Sequence, residues 1–212
     1  KVYLESYTSI GASLNELKKV LKKPLVIANR NQIEEKSNEI LKEAKTQNVA
    51  ILVYGDPLIA TTHINFLIDC KRLKIKTKVI HNISIINAVN ETGLMPYNFG
   101  KVTSIPFNNE NINTPIEVLK NNQKLGLHTL FLLDLDPKNK RFLTINQALE
   151  YLMRKKINMK CVACSALGTN KQEIKYGAMK DLIKLKFNNF PQCLIIPGKL
   201  HFMEEEALKM YS

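Results

Sequence analysis

Short apolar runs alternate with amphipathic stretches along the whole chain. Runs rich in β-branched residues predict strands over residues 2–4, 25–28 and 51–54. Between them, apolar positions recur at helical spacing after Ser13, and a charged helix is predicted over residues 31–45. Strands that alternate with helices favour parallel βαβ units, so the pattern predicts an α/β fold.

A polar turn, Gly55-Asp56-Pro57, interrupts the chain after the third predicted strand and before a helix predicted over residues 60–72. In α/β proteins, ligands bind at the carboxyl ends of the strands. Asp56 is therefore expected at a strand tip, where its carboxylate can accept hydrogen bonds from a ligand amine or ribose. The spacing is equally typical of a simple turn in which Asp56 caps the next helix.

A second polar turn follows the next predicted strand, residues 77–80. It contains His81 and Asn82, and Ser84 is the expected cap of a short helix over residues 85–89. Because the carboxyl ends of parallel strands meet at one edge of a sheet, we expect this turn to lie beside Asp56.

The segment 93–115 is rich in asparagine and contains three prolines, which indicates a change of domain. We place the boundary so that an N-terminal α/β domain covers residues 1–98 and a C-terminal α/β domain covers residues 99–212. The second half predicts strands at 102–105, 128–133, 161–167 and 193–196, and helices at 115–124, 145–155, 174–185 and 203–210, with Thr114 and Thr144 as caps.

Composition narrows the class of protein. The 212 residues are 45% hydrophobic and 24% charged, and no apolar stretch reaches the ~18–20 residues of a membrane span. The net charge of +12 is compatible with an acidic partner. However, the lysines are spread over amphipathic helices, aromatic residues make up only 7% and tryptophan is absent, so no direct nucleic-acid binding is expected.

The four cysteines predict no metal centre. Cys161 and Cys164 have the spacing of metal ligands, but a structural zinc site needs a second pair and none exists. Both lie in a predicted strand, where burial on opposite faces is expected. Unpaired cysteines fit a reducing, cytoplasmic compartment, and the sequence shows no secretory signal.

No recognisable covalent catalyst is present. The chain lacks a nucleophile elbow, a Walker loop, an HExxH motif and a complete GxGxxG motif. The four histidines are scattered, and none can be assigned as a base from its position. From the residues alone, the chain is predicted to be a two-part α/β protein with a ligand site at its strand tips and unassigned catalytic residues.

Six motifs in a fixed order resemble the diphthine synthases, which have the fold of the tetrapyrrole methylases. The longest are GDPLIATTH at residues 55–63 and HNISIINAVNETGL at residues 81–94. The others are YLESYTS (3–9), YNFG (97–100), HTLFLLDL (128–135) and ALG (166–168).

The resemblance implies a cytoplasmic, homodimeric methyltransferase. It would use S-adenosylmethionine, release S-adenosylhomocysteine, and methylate the aminocarboxypropyl-modified histidine of translation elongation factor 2 in diphthamide biosynthesis. The cofactor is expected in a cleft between the two domains. The lack of a covalent catalyst suits this chemistry, because the cofactor brings an activated methyl group and the protein positions it.

The resemblance also implies the cofactor contacts, and it shows departures from the family pattern. The family opens with a strand and a glycine-rich turn of the form LIGLGLGD, which we expect to be missing here. Many members have histidine where this chain has Gln192, and the segment after Leu135 is short. The cofactor contacts carried over are Asp56, Ile59, Ser84, Ile85, Leu133, Leu167 and Gln192.

Three points stay open at this level. The number of methyl groups added is three or four, and the proton acceptor is unassigned. A tetrapyrrole methylase that acts on porphyrins or corrins would share the fold and the GDP turn. A degenerate paralogue that binds without catalysis is the alternative from a different functional class, and an RNA-binding protein is a third.

Overall fold

The computed structural model describes residues 1–212, which fall into two compact units. The first comprises Lys1–Ser84 with Asp136–Lys140, and the second comprises Ile85–Leu135 with Arg141–Ser212. Each unit combines a sheet with helices, so the predicted α/β class is confirmed. The domain boundary after residue 98 stays a prediction, since the two units divide after Ser84.

The first unit contains a three-stranded parallel sheet in the order β2-β1-β3. Its core joins the sheet to the helices through seven buried residues, among them Tyr3, Ile40 and Phe66. The strands are β1 (Val2–Glu5), β2 (Leu25–Ala28) and β3 (Ala50–Leu52), and the helices are α1 (Leu14–Leu21), α2 (Ser37–Ala44) and α3 (Ile64–Arg72), with a π-helical turn at Asn31–Glu35.

Local signals explain where α1 begins and ends. Ser13 accepts a hydrogen bond from the Glu16 backbone, and the Glu16 side chain accepts one from the Ser13 backbone, as the predicted capping box requires. Lys22 closes the helix in the left-handed region with φ of 49°, shortly before Pro24. The helix buries none of its residues, so its sequence and not its packing sets its limits.

Three sequence predictions for the first unit are corrected. Residues 77–80 form no strand: three of the four are exposed, and no strand of the sheet pairs with them. The helix predicted over 60–72 begins only at Ile64, because Ala60 has φ of 57°, which an α-helix does not allow. The helix predicted over 31–45 is split into the π-helical turn and α2.

The second unit contains a five-stranded mixed sheet in the order β4-β5-β10-β8-β9, in which only β4 and β5 are parallel. Its strands are β4 (Thr103–Ile105), β5 (Thr129–Leu133), β7 (Arg141–Phe142), β8 (Lys160–Ser165), β9 (Glu173–Ala178) and β10 (Gln192–Ile196). The short β6 (Leu135–Asp136) pairs with β7 and has its first residue in this unit. Its helices are α4 (Ile85–Ala88), α5 (Thr114–Lys124), α6 (Ile145–Arg154), α7 (Met179–Leu182) and α8 (Phe202–Lys209).

Two predictions for the second unit are wrong. The helix predicted over 174–185 is instead β9 followed by α7. Ile174 and Tyr176, two residues apart, both contact the same apolar cluster, so the segment follows the strand period and pairs with β8 along its length. Thr114 is not a cap, because it is the first residue of α5 and Asn113 precedes it.

The paired cysteines lie on opposite faces of β8, as expected. Cys161 belongs to the apolar cluster around Phe131, and Cys164 belongs to the cluster around Leu130. Burial raises the pKa of the Cys161 thiol to about 12, which favours the protonated form at neutral pH. None of the helices combines the length and the apolar character that a membrane span requires.

Candidate functional site

The two polar turns of the first unit meet, as the sequence predicts. The Asp56 Oδ2 atom lies 2.8 Å from His81 Nδ1 and accepts a hydrogen bond of 3.2 Å from the Asn82 backbone. Gly55 precedes it with φ of 95°, a conformation that favours glycine, and a Cβ there would lie 3.6 Å from the Ile83 carbonyl oxygen. The second turn reaches Asp56 without the preceding strand that we predicted.

Asp56 is a buried and ionised carboxylate, only 4% exposed. The Leu58 backbone donates to Oδ1 at 2.9 Å, and this bond lowers the pKa of Asp56 against the opposing effect of burial. His81 and the Asn82 backbone lower the pKa further. Asp56 therefore organises its own turn and does not cap α3, which begins eight residues later at Ile64.

The remaining predicted contacts of the first unit adjoin this carboxylate. Ile59 is half-buried, and its backbone donates to the Asp56 carbonyl at 3.4 Å. Ser84 is buried next to the turn, and its Cα would lie 4.0 Å from a Cβ at Gly55. Carboxylate, hydroxyl and apolar groups are thus brought together within one small region.

The predicted contacts of the second unit occupy strand ends and a helix start. Leu133 is the last residue of β5 and is buried, while Leu167 follows β8 and is half-buried. Ile85 opens α4 and packs against the apolar cluster around Leu130. Gly168 has φ of 74°, and a Cβ there would have no atom within 4 Å, so open space adjoins Leu167.

Gln192 has a structural role that the sequence does not reveal. Its Oε1 atom accepts from the Ile145 backbone at 2.8 Å, and its Nε2 atom donates to the carbonyls of Phe187 and Asn189, both at 2.9 Å. The buried amide therefore holds the start of α6 and the segment before β10. A histidine at this position could not make all three bonds.

A further polar group lies in the first unit and includes residues outside the predicted set. Glu34 accepts hydrogen bonds from Tyr7 and Thr62, and the ring of the buried His63 lies 6.5 Å from the Tyr7 ring. Tyr7 and Thr62 fall within recognised motifs, but Glu34 looks like any charged residue of an amphipathic helix. No pattern in the sequence brings Glu34 to this position.

The residues present suit a nucleoside cofactor with an amino-acid part. Within the first unit, Gly55 allows close approach of the backbone, Asp56 and Ser84 offer polar atoms, and Ile59 offers apolar surface. No group of three or more histidine, cysteine, aspartate or glutamate residues is arranged to hold a metal ion.

Comparisons with known proteins agree with this chemistry. Residues 6–183 match the family model of the Tetrapyrrole (Corrin/Porphyrin) Methylases. The chain is 40% identical to a diphthine synthase of Methanococcus maripaludis, over 99% of this chain and 87% of that protein. It is 37% identical to a probable diphthine methyl ester synthase of Arabidopsis thaliana, over 100% of this chain and 88% of that protein.

A solved structure gives the same result. The fold matches a crystal structure of diphthine synthase with a TM-score of 0.93 and 33% identity, covering 100% of this chain and 85% of that one. These likenesses extend over nearly the whole chain and do not favour a porphyrin or corrin methylase. The chain is therefore a methyltransferase that belongs to the tetrapyrrole methylase family and, within it, to the diphthine synthases.

Proposed function

We propose that this methyltransferase uses S-adenosylmethionine to methylate the aminocarboxypropyl-modified histidine of translation elongation factor 2. The observation that carries the proposal is the preformed turn at Asp56, joined to the second turn at His81 and Asn82, in a chain with full-length likeness to diphthine synthases. Both turns belong to the motifs through which the chain resembles that family.

The reaction needs positioning more than covalent catalysis. When bound, S-adenosylmethionine supplies a methyl group on a positively charged sulfur. The acceptor amine would form a bond to this methyl carbon while the carbon–sulfur bond breaks and leaves its electron pair on the sulfur. Each attack requires a neutral amine, so the nitrogen must lose a proton before each transfer. The protein contributes alignment and exclusion of water.

We propose that seven residues contribute to cofactor binding in different ways. Asp56 and Ser84 would provide polar contacts, and the four apolar residues would provide walls and backbone groups. Gln192 would act by holding the start of α6, because its side-chain amide is already engaged with the backbone. The apolar residues are Ile59, Ile85, Leu133 and Leu167. The cleft expected for the cofactor stays a prediction.

The partner, the location and the assembly are also part of the proposal. Elongation factor 2 would be the protein substrate, which the family resemblance and the names of the relatives support. Four free cysteines fit the reducing cytoplasm. The homodimer rests on the family resemblance, and light scattering in solution would test it. The product is diphthine or its methyl ester, since both activities occur in the names of relatives.

Calorimetry with S-adenosylmethionine tests the cofactor assignment. We expect Asp56→Ala to weaken binding by about tenfold or more, because a charge-assisted hydrogen bond and the shape of the turn are lost together. Asp181→Ala is the matched control, since Asp181 is an exposed aspartate that pairs only with Lys184. Unchanged affinity in Asp56→Ala would contradict the assignment, and no binding by the parent protein would favour the non-catalytic paralogue.

A further inference from the structure

A cluster of four polar side chains in the first unit lies outside the proposed cofactor set. It consists of Tyr7, Arg30, Glu34 and Thr62, which come from three separate segments. At its centre, Glu34 Oε1 accepts hydrogen bonds from Tyr7 Oη at 3.3 Å and Thr62 Oγ1 at 2.9 Å. The same oxygen lies 3.7 Å from Arg30 Nε. This set is called the acceptor cluster below.

The charges of the acceptor cluster have unused bonding capacity. Glu34 Oε2 accepts no hydrogen bond from the protein, although a carboxylate offers about four acceptor positions. The Arg30 side chain is 70% exposed, and its guanidinium carbon lies 5.1 Å from the centre of the Tyr7 ring. Apart from their contact with each other at 3.7 Å, neither charge is paired within the protein, so both can bind a ligand group of the opposite sign.

Tyr7 stays a hydrogen-bond donor in this setting. Burial, followed by the charges of Glu34 and Glu5, raises the pKa of its phenol above the usual value. The protonated hydroxyl fixes the orientation of the Glu34 carboxylate together with Thr62. Its ring face already attracts the cationic side chain of Arg30, which indicates that the surface suits cations.

A cavity of about 310 Å³ adjoins the acceptor cluster and shares Glu34 and Thr62 with it. Its wall also carries Asp69 and Arg72, so two carboxylates face it and one guanidinium. Negative side chains therefore outnumber positive ones on this wall, whereas the whole chain has a net charge of +12. The volume is within the range of sites for small ligand groups.

His63 connects the acceptor cluster to the turn at Asp56. Its Nδ1 atom lies 3.0 Å from the Pro57 carbonyl oxygen, which can only accept, so Nδ1 donates. The other ring nitrogen, Nε2, is buried and has no hydrogen-bond partner in the protein. A buried polar atom without a partner is rare, and a catalytic role or a bound water or ion can account for it.

We propose that the acceptor cluster binds the amino-acid head group of the methyl acceptor, with its amine on Glu34 and its carboxylate on Arg30. The inference rests on the proposed function, because the aminocarboxypropyl group carries an amine and a carboxylate on one carbon atom. Positive charge moves from sulfur to nitrogen as the methyl group is transferred, and a carboxylate beside the nitrogen stabilises that change. The guanidinium fork matches the geometry of a carboxylate.

The test is steady-state methyl transfer to elongation factor 2 that carries the unmethylated precursor. Glu34→Gln and Arg30→Gln are each expected to lower kcat/KM by about 10- to 100-fold, the effect of losing a hydrogen bond to a charged group. The affinity for S-adenosylmethionine, measured by calorimetry, should not change. Glu35→Gln is the matched control, because its exposed carboxylate contacts only Asn31. It should keep the parent activity.

A double variant that exchanges the charges at positions 30 and 34 gives a second test. The double variant Arg30→Glu with Glu34→Arg keeps the mutual ion pair but puts a cation where the amine binds, so it should not recover the activity. Recovery would show that the two residues act only as a structural pair and would overturn the inference. Unchanged kcat/KM in both single Gln variants, with active parent protein, would overturn this inference and leave the proposed function intact. A parallel loss of cofactor affinity would also overturn it. No transfer by the parent protein would overturn both.

Discussion

The two units of the molecule differ in the size of their apolar cores and in the polar groups that they carry. The second unit buries β10 completely and packs separate apolar clusters of 18 and nine buried residues around its sheet. The first unit has three short strands and one cluster of seven buried residues, yet it holds the Asp56 turn and the acceptor cluster. The polar groups that we propose as ligand contacts thus lie in the part with the smaller core.

The largest expected effect is a cavity in the larger core. Phe131→Ala removes a side chain that is fully buried in β5 and should cost about 3–5 kcal/mol of unfolding free energy. Ile40→Ala in the first unit should cost about 2 kcal/mol, at the low end for such a change. Denaturant unfolding measures both values. A larger loss from Ile40→Ala would contradict the contrast between the two cores.

A buried histidine–carboxylate pair gives the next largest effect. His128 Nδ1 accepts from the Gly198 backbone at 2.9 Å, so Nε2 must carry the proton and donate to Glu204 Oε1 at 2.9 Å. Glu204 also accepts from the backbones of Met95 and His201, both at 2.8 Å. Glu204→Gln should cost about 1.5–3 kcal/mol at neutral pH, because a neutral amide replaces a carboxylate among these donors.

The pH dependence of that loss has a definite sign. Burial raises the pKa of Glu204, but the backbone bonds from His201 and Met95 and the bond from His128 lower it more, so the net shift is downward from 4.5. The stabilisation is therefore complete above pH 4.5 and disappears as the pH falls through the lower folded value. The free-energy difference between parent and variant should shrink in acid. A constant difference down to the acid transition would contradict this assignment.

Substitution of Gln192 tests whether this residue supports the site or contacts the cofactor. Gln192→Ala leaves the buried Ile145 backbone donor without a partner, so it should cost about 1–3 kcal/mol in thermal or denaturant unfolding. Its effect on cofactor affinity should be smaller than that of Asp56→Ala. Weaker binding with unchanged stability would instead indicate that the amide contacts the cofactor directly.

The smallest expected effect concerns the exposed helix α1. Ser13→Ala removes the hydroxyl that accepts from the Glu16 backbone and should cost about 0.5–1 kcal/mol, since the helix buries no residue. Thr144→Ala, which removes the equivalent hydroxyl from the buried helix α6, is the matched comparison. Equal losses would show that packing does not amplify the effect of a cap.

Much of the architecture could be predicted from local signals. The capping boxes at Ser13 and Thr144 set the starts of α1 and α6, and the apolar runs gave β5, β8 and β10 within one or two residues. These signals work because they act within a few residues of one another. The segment 174–185 was misassigned because pairing of its first five residues with β8, which lies ten to 18 residues earlier in the chain, decides its structure.

The candidate site shows the same limit. The meeting of the two turns was predicted, but for a reason that holds only in part: the first turn follows a strand, whereas the strand expected before the second turn does not form. The hydrogen bond between Gln192 and the Ile145 backbone joins residues that are 47 positions apart in the sequence. The hydrogen bond between Glu34 and Thr62 joins residues that are 28 positions apart. No local pattern specifies such contacts, and the cofactor contacts at Leu133 and Leu167 came only from the family resemblance.

The most direct test of the central claim is an intact-mass measurement. The protein and S-adenosylmethionine would be incubated with elongation factor 2 that carries the aminocarboxypropyl-modified histidine. The account predicts a mass gain of several methyl groups, and the count would decide between diphthine and its methyl ester as the product. No gain in mass, while calorimetry shows that the cofactor binds, would contradict the proposed acceptor.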